Sequence, residues 1–335
     1  MKARRIDPHV HCRDQGWAYK STIAETLKLA ELQGICAIFD MPNNNPPTLR
    51  IEDVLQRLAL VPEDSPVQYF TYIGLAADNP DQWAEAVRCW NNIPQVIGIK
   101  MFAGHSTANM GIIEPEQQRA VYRFLTEVDY RGVLAVHCEK ESLLRPALWD
   151  PKNPVSHSLA RPPEAEAESV RDQILFAEGA GFCGKLHICH VSTEKALRVI
   201  ARAKDKRSLP MRVTCEVTPH HLLYSTDMLE HLGQLGQLSH WFKVNPPIRI
   251  EQDRLALLGA IISDNVVDWI ATDNAPHTMQ EKLGPPYTSG FPSLYLYQGL
   301  LAHLRELGVS EEKIDDLTFY SIIRAFNPKL NHLIA

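Results

Sequence analysis

"RIDPHVHCRD", residues 5–14, closes an apolar run near the N-terminus with two histidines one residue apart. In a β-strand, residues i and i+2 point to the same face. His9 and His11 then project side by side and can grip one metal ion. Read otherwise, the pair ends a strand and makes only hydrogen bonds. Histidine is the commonest metal ligand, but His-X-His is a short pattern. What the rest of the chain sets beside the pair has to decide.

The run is the first of eight. Candidate strands are Arg4–His11, Ala37–Met41, Val67–Ile73, Val96–Met101, Val133–His137, Lys185–His190, Met211–Val217 and Val266–Ala271. Helical patterns lie between them, such as "STIAETLKLAELQG", "DQWAEAVRCWNN", "EPEQQRAVYRFLTEVDYRG", "EAEAESVRDQILFAEGAG" and "TEKALRVIARAKDK". The first begins at a Ser/Thr cap and ends at Gly34, as helices often do. Eight strands alternating with helices predict an α/β protein with a parallel sheet, and the count favours a closed (β/α)8 TIM barrel over an open doubly wound sheet. An open sheet of that kind carries a glycine-rich phosphate loop after an early strand, and no GxGxxG or GxxxxGK[ST] occurs. A barrel takes about 250 residues. The surplus in a chain of 335 fits long loops after strands five, seven and eight and a terminal helix near Glu311–Ala325. The expectation is one barrel domain over residues 1–335, with a C-terminal helical segment from about residue 310.

Bulk composition narrows the function. The chain is 45% hydrophobic and 22% charged, an ordinary globular balance. Its net charge of -6 and its lack of basic, aromatic-interleaved clusters argue against a nucleic-acid surface. The seven cysteines are odd in number and form no CxxC, so they read as reduced thiols. "MKARRIDPHVH" has basic residues but no apolar core of a signal peptide. No apolar run approaches the roughly 18 residues of a membrane span. A cytoplasmic protein with no membrane partner is expected.

In a (β/α)8 barrel the active site lies at the C-terminal ends of the strands. Strand one ends in His9 and His11, strand four carries Lys100, and strand five ends in His137. Strand six ends in His190, and Asp273 and His277 follow strand eight. Each has a bland reading. His137 alone is a hydrogen-bonded strand end. Lys100 can snorkel, although a buried ammonium is costly unless paired or neutralised. Asp273 can cap a turn. All of them fall at one predicted mouth, which disfavours the bland readings taken together. His187 and His190 differ by three and cannot both face inward from a regular strand, and the strand end favours His190. His220 and His221 read as supporting or structural residues. His231, His240, His303 and His332 read as surface or packing residues. Cys12, Cys138 and Cys189 alternate with candidate ligands and are expected to point away into the core.

These stations together resemble the dihydroorotases of the amidohydrolase superfamily. The matching pieces are "DPHVHCRD", "DMPNNNPPT", "GIKMF" with "STANMG", "VHCE", "HICHVST", "EVTPHHLL", "KVNPPIR" and "ATDNAPHTMQEK", in family order, with "SGFPSL" extending the match. The resemblance implies two Zn²⁺ per chain. His9, His11 and Asp273 would hold the buried metal, and His137 and His190 the exposed one. Lys100, carboxylated on its ε-nitrogen, would bridge them. That modification turns an ammonium into an anionic oxygen ligand, and imidazole and carboxylate-type oxygens suit zinc. The implied reaction is reversible hydrolysis of L-dihydroorotate to N-carbamoyl-L-aspartate in pyrimidine biosynthesis, with Asp273 shuttling the proton. Arg13 would bind the ring carboxylate, with Asn43 and His277 completing the pocket and Asn245 facing the substrate. Ser106 and Thr107 sit on a Gly-flanked loop that reads as a lid. A homodimer is the family-level expectation.

The chain departs from the longer members. Many carry a small β-sandwich from segments flanking the barrel. Here strand one starts close to residue 1 and the chain stops at "NPKLNHLIA", so the short, sandwich-free architecture is expected. Asn274 stands where longer relatives often have His. Two other functions remain open: another cyclic amidase of hydantoinase or allantoinase type, or a catalytically silent scaffold. Arg13, Asn43 and His277 argue against the first, and retention of all six ligands argues against the second.

Overall fold

A computed structural model of the chain describes residues 4–77, 79–106, 110–233 and 237–334. Eight parallel strands run in order: β1 (Ile6–Val10), β2 (Ala37–Asp40), β3 (Gln68–Gly74), β4 (Val96–Phe102), β5 (Val133–His137), β6 (Lys185–Ile188), β7 (Arg212–Val217) and β8 (Trp269–Ile270). Each pairs with the next. Their Val- and Ile-rich runs are buried along nearly their whole length, as parallel strands under covering helices must be.

Beyond β8 the chain closes the ring. The amide of Asp273 donates to His9 O at 2.9 Å, and the amide of His11 to Asn274 O at 2.8 Å. Lower down, the Asp7 carboxylate accepts the amide of Thr272 at 2.9 Å and its hydroxyl at 2.5 Å. The closure therefore falls at the segment that carries the His pair and Asp273.

β6 and β8 stop short of their expected runs by two or more residues, for local reasons. Before β8, side chains take part of the pairing: Asp268 Oδ2 accepts the Cys215 amide at 2.8 Å, and Lys204 donates to Val266 O at 2.6 Å. β6 stops at Ile188 because His190 adopts φ +36°, which no extended strand accommodates. Helix boundaries follow the sequence signals closely. Thr22 and Glu25 form a reciprocal cap on Ile23–Leu32, and Gly34 leaves that helix with φ +73°. The expected terminal helix is three abutting pieces: Glu311–Asp315, a π-helical turn at Asp316–Tyr320, and Ser321–Phe326.

The lower lumen is filled. Phe326 packs against Phe39 at 5.0 Å, Trp269 at 5.9 Å and Tyr72 at 6.3 Å between ring centroids. A separate, larger apolar layer lies between the strands and the outer helices. With the bottom plugged, the recess opens at the other end, where the candidate ligands lie. Among the described residues no helix is long and apolar enough to cross a membrane.

Candidate metal centre

The strand ends bring His9, His11, Lys100, His137, His190 and Asp273 to one recess, which Arg13, Asn43, Ser106 and Asn245 also line. All six are buried. His11 Nε2 lies 2.9 Å from Asp273 Oδ1, and His9 Nε2 lies 3.3 Å from the same oxygen. His137 Nδ1 and His190 Nε2 face each other at 3.1 Å. Donor atoms of His9, His190 and Asp273 all lie within 4.8 Å of one another. Burial lowers the pKa of all four histidines, which keeps them neutral and their lone pairs available. Burial likewise pushes Asp273 up to about 6.

Two of these six candidate ligands hold unusual backbone. Asp273 has φ +50° and His190 φ +36°, conformations that cost a non-glycine residue roughly 1–3 kcal/mol. The surrounding hydrogen bonds hold them there, and both side chains turn into the mouth as a result.

The same kink corrects an expectation. Cys189 does not point away. Its Sγ lies 2.9 Å from Lys100 Nζ, inside the barrel. Two-residue alternation fails there because β6 has already ended. His187 also faces inward, one level lower, stacked on Trp269 at 4.2 Å between centroids. Cys12 and Cys138 do lie in the outer apolar layer. Lys100 is 1% exposed, which rules out snorkelling, and its ammonium sits 5.0 Å from the Phe102 ring centroid.

Sequence reasoning passed over two carboxylates. Glu216 on β7 lies 2.5 Å from His9 Nδ1 and 3.0 Å from His187 Nε2, and it accepts the Trp269 indole N–H at 3.1 Å. Glu139 lies 3.0 Å from His137 Nε2, and Arg161 donates to both its oxygens. Both were findable. Glu139 shares a face with His137 by two-residue alternation. A Glu inside the apolar run "RVTCEV" raises the burial question already asked of Lys100.

The remaining site candidates fall as follows. Asn43 hydrogen-bonds His11 and lines the recess. Asn245 Oδ1 lies 2.9 Å from His157 Nε2. His277 sits behind Arg13 rather than on the recess wall, with its Nε2 3.1 Å from Arg13 Nη2 and 3.0 Å from Ser289 O. His220 and His221 are buried, and His221 Nε2 lies 3.0 Å from Pro246 O. His240 packs against Tyr287, while His231 and His332 are exposed. Thr107 lies outside the described residues.

The donor set fits a divalent metal of the zinc class: neutral imidazoles and a carboxylate converging on one recess, with hydrogen-bonded carboxylates behind two of the imidazoles. A buried ring nitrogen of His190, Nδ1, has no partner among the described residues.

Comparison with known proteins by sequence gives dihydroorotases among its relatives. A dihydroorotase of Halobacterium salinarum is 32% identical over 318 residues, covering 93% of this chain and 69% of that protein. One from Methanosarcina mazei is 32% identical over 336 residues, covering 96% and 69%. One from Fusobacterium nucleatum is 30% identical over 282 residues, covering 83% of this chain and 61% of that protein. The chain thus spans about six- to seven-tenths of the relatives it matches. No protein-family model matches it. Among solved structures, an L-hydantoinase from Arthrobacter aurescens superposes with TM-score 0.83 at 20% identity, over 97% of this chain and 71% of that one. A dihydroorotase from Campylobacter jejuni superposes with TM-score 0.71 at 18% identity, over 97% and 83%. These structural likenesses speak for the barrel.

Proposed function

The chain belongs to the dihydroorotase family, and from that premise we propose that it catalyses the reversible hydrolysis of L-dihydroorotate to N-carbamoyl-L-aspartate. The observation that carries the choice of substrate is Arg13. Its guanidinium is 1% exposed. Its partners are the Pro276 carbonyl at 3.1 Å and the His277 ring at 3.1 Å, neither of them anionic. Its Nη1 has no hydrogen-bond partner among the described residues. A buried guanidinium with a spare N–H on a recess is built to meet an anion, and a carboxylate is the planar match. Dihydroorotate has that carboxylate, whereas hydantoin and dihydrouracil rings lack it.

His9, His11 and Asp273 would hold one zinc ion and His137 and His190 a second, with Lys100 bridging as its carbamate. Bound there, the pair would supply Lewis acidity and make hydroxide available near neutral pH. The chain's own groups do the rest. Arg13 anchors the ring carboxylate, backed by His277. Asn43 and Asn245 present amides to the ring. Asp273 takes the proton of the attacking water on its carboxylate and returns it to the ring nitrogen as the C–N bond breaks. Ring closure reverses each transfer. Ser106, which lines the recess, is proposed to cover the ring.

The test is a substrate panel. The enzyme should open dihydroorotate and leave hydantoin and allantoin almost untouched. Comparable turnover of a carboxylate-free ring would move the assignment to another cyclic amidase.

A further inference from the structure

Arg13 does not reach the recess by ordinary backbone. Arg13, Asp14 and Gln15 have φ of +61°, +63° and +48°, three successive non-glycine residues in the left-handed region. Such a run is costly and persists only where its surroundings over-determine it. The turn swings the chain away from the direction of β1 and so sets where the Arg13 side chain starts.

Several bonds hold the turn. The Asp14 carboxylate accepts the amides of Gln15 at 2.7 Å and Ile23 at 2.8 Å. Gly16 packs so tightly on Asn45 that a Cβ would lie 2.5 Å from its side-chain nitrogen. The bond aimed at Arg13 itself comes from elsewhere. Arg57, on the helix Ile51–Leu58, donates from Nη1 to Arg13 O at 2.6 Å. Its Nη2 pairs with Asp40 at the end of β2. Asp40 Oδ2 also accepts the Tyr69 hydroxyl at 2.7 Å, and its Oδ1 accepts the Cys12 amide at 2.9 Å. Both Arg57 and Asp40 are fully buried, at 0% exposure.

A buried ion pair is a poor device for stability alone, because desolvation consumes most of the attraction. It is a good device for fixing geometry. Here it clamps the two ends of the Cys12–Arg13 segment: Asp40 holds the amide of Cys12, and Arg57 holds the carbonyl of Arg13.

We propose that the Arg57–Asp40 pair is a positioning device for the substrate clamp, fixing the strained Arg13 backbone so that its guanidinium meets the ring carboxylate. This rests on the reading of Arg13 given above. Neither residue lines the recess, and Asp40 reaches His11 only through its charge. They act through Arg13.

Arg57→Lys tests it. Lysine keeps the charge opposite Asp40, but its single nitrogen cannot also hold Arg13 O in a fork. The double variant Arg57→Gln with Asp40→Asn removes both charges together and covers the case where Arg57→Lys folds poorly. Either variant should raise KM for dihydroorotate roughly tenfold with kcat changed less than about threefold, the signature of lost binding rather than lost chemistry. Metal content should not change. A purely structural role predicts instead that metal content and kcat fall while the remaining active fraction keeps the normal KM, and that result overturns the proposal. Arg13→Met serves as the reference. If it raises KM while both Arg57 variants do not, this inference fails alone. If it leaves KM unchanged, the reading of Arg13 fails and the inference falls with it.

Discussion

Glu139 Oε2 and His137 Nε2 lie 3.0 Å apart, fully buried at the end of β5. Burial alone would push the Glu139 carboxyl up, but Arg161 and His137 overcome that and hold it well below the usual carboxylate range. An ionised Glu139 accepts the Nε2 proton, so the Nδ1 lone pair of His137 faces His190. Glu216 does the same for His9 from the other ring nitrogen and turns its Nε2 toward Asp273. Each carboxylate selects a tautomer, and both tautomers leave a lone pair directed into the recess.

Glu139→Gln and Glu216→Gln should each weaken metal retention by about 10–100-fold, the usual cost of losing such a partner. Competition with a chromophoric chelator measures this directly. Unchanged retention would mean that the carboxylates serve only the fold.

Lys100 has a thiol and an aromatic face for company, poor partners for a buried ammonium. Protein equilibrated with ¹³C-labelled carbon dioxide and zinc should show one carbamate carbon signal, absent in Lys100→Ala. The variant should also bind less than the full complement of metal. A wild-type protein that holds its metal without a carbamate signal would contradict the bridging role.

Asp273→Asn should keep the fold and lose turnover by roughly 10²–10⁴-fold, the usual scale of a proton-transfer contribution. Steady-state rates with metal content measured on the same samples decide it. A near-normal rate would remove Asp273 from the chemistry.

Glu166, which does not line the recess, gives a stability test. It accepts the Ser192 amide at 2.7 Å and the Ser192 hydroxyl at 2.9 Å. Burial pushes its carboxyl from the ordinary 4.5 up to about 7. A group raised in the folded state binds its proton more tightly when folded, so its stabilising contribution is full below pH 4.5 and is lost as pH rises to about 7. Glu166→Gln should therefore flatten the fall in melting temperature that wild type shows between these pH values. Parallel curves for the two proteins would count against it.

The sequence was informative wherever regular periodicity held. Eight strands were visible as apolar runs, and His9 with His11, Lys100 and His137 stood at readable strand ends. Legibility failed for Cys189, which a positive φ at His190 turns inward, contrary to the two-residue rule. It also failed for Arg57, a helix residue 44 positions from the carbonyl it holds. Nothing in the amphipathic pattern of that helix distinguishes a buried arginine from a solvated one. Glu216 was within reach of the argument used for Lys100. His277 shows a different limit: the motif brings it beside Arg13, but only packing reveals that it stands behind the guanidinium.

The most direct test joins metal analysis to a paired assay on one preparation of the intact chain. Dihydroorotate opening is followed at mildly alkaline pH and N-carbamoyl-L-aspartate closure at mildly acidic pH. The account predicts about two zinc ions per chain, by the count of ligand groups, together with turnover in both directions that a chelator abolishes and zinc restores. Two zinc ions with no turnover of either compound would contradict the proposed substrate, and full turnover by metal-free protein would contradict the proposed centre.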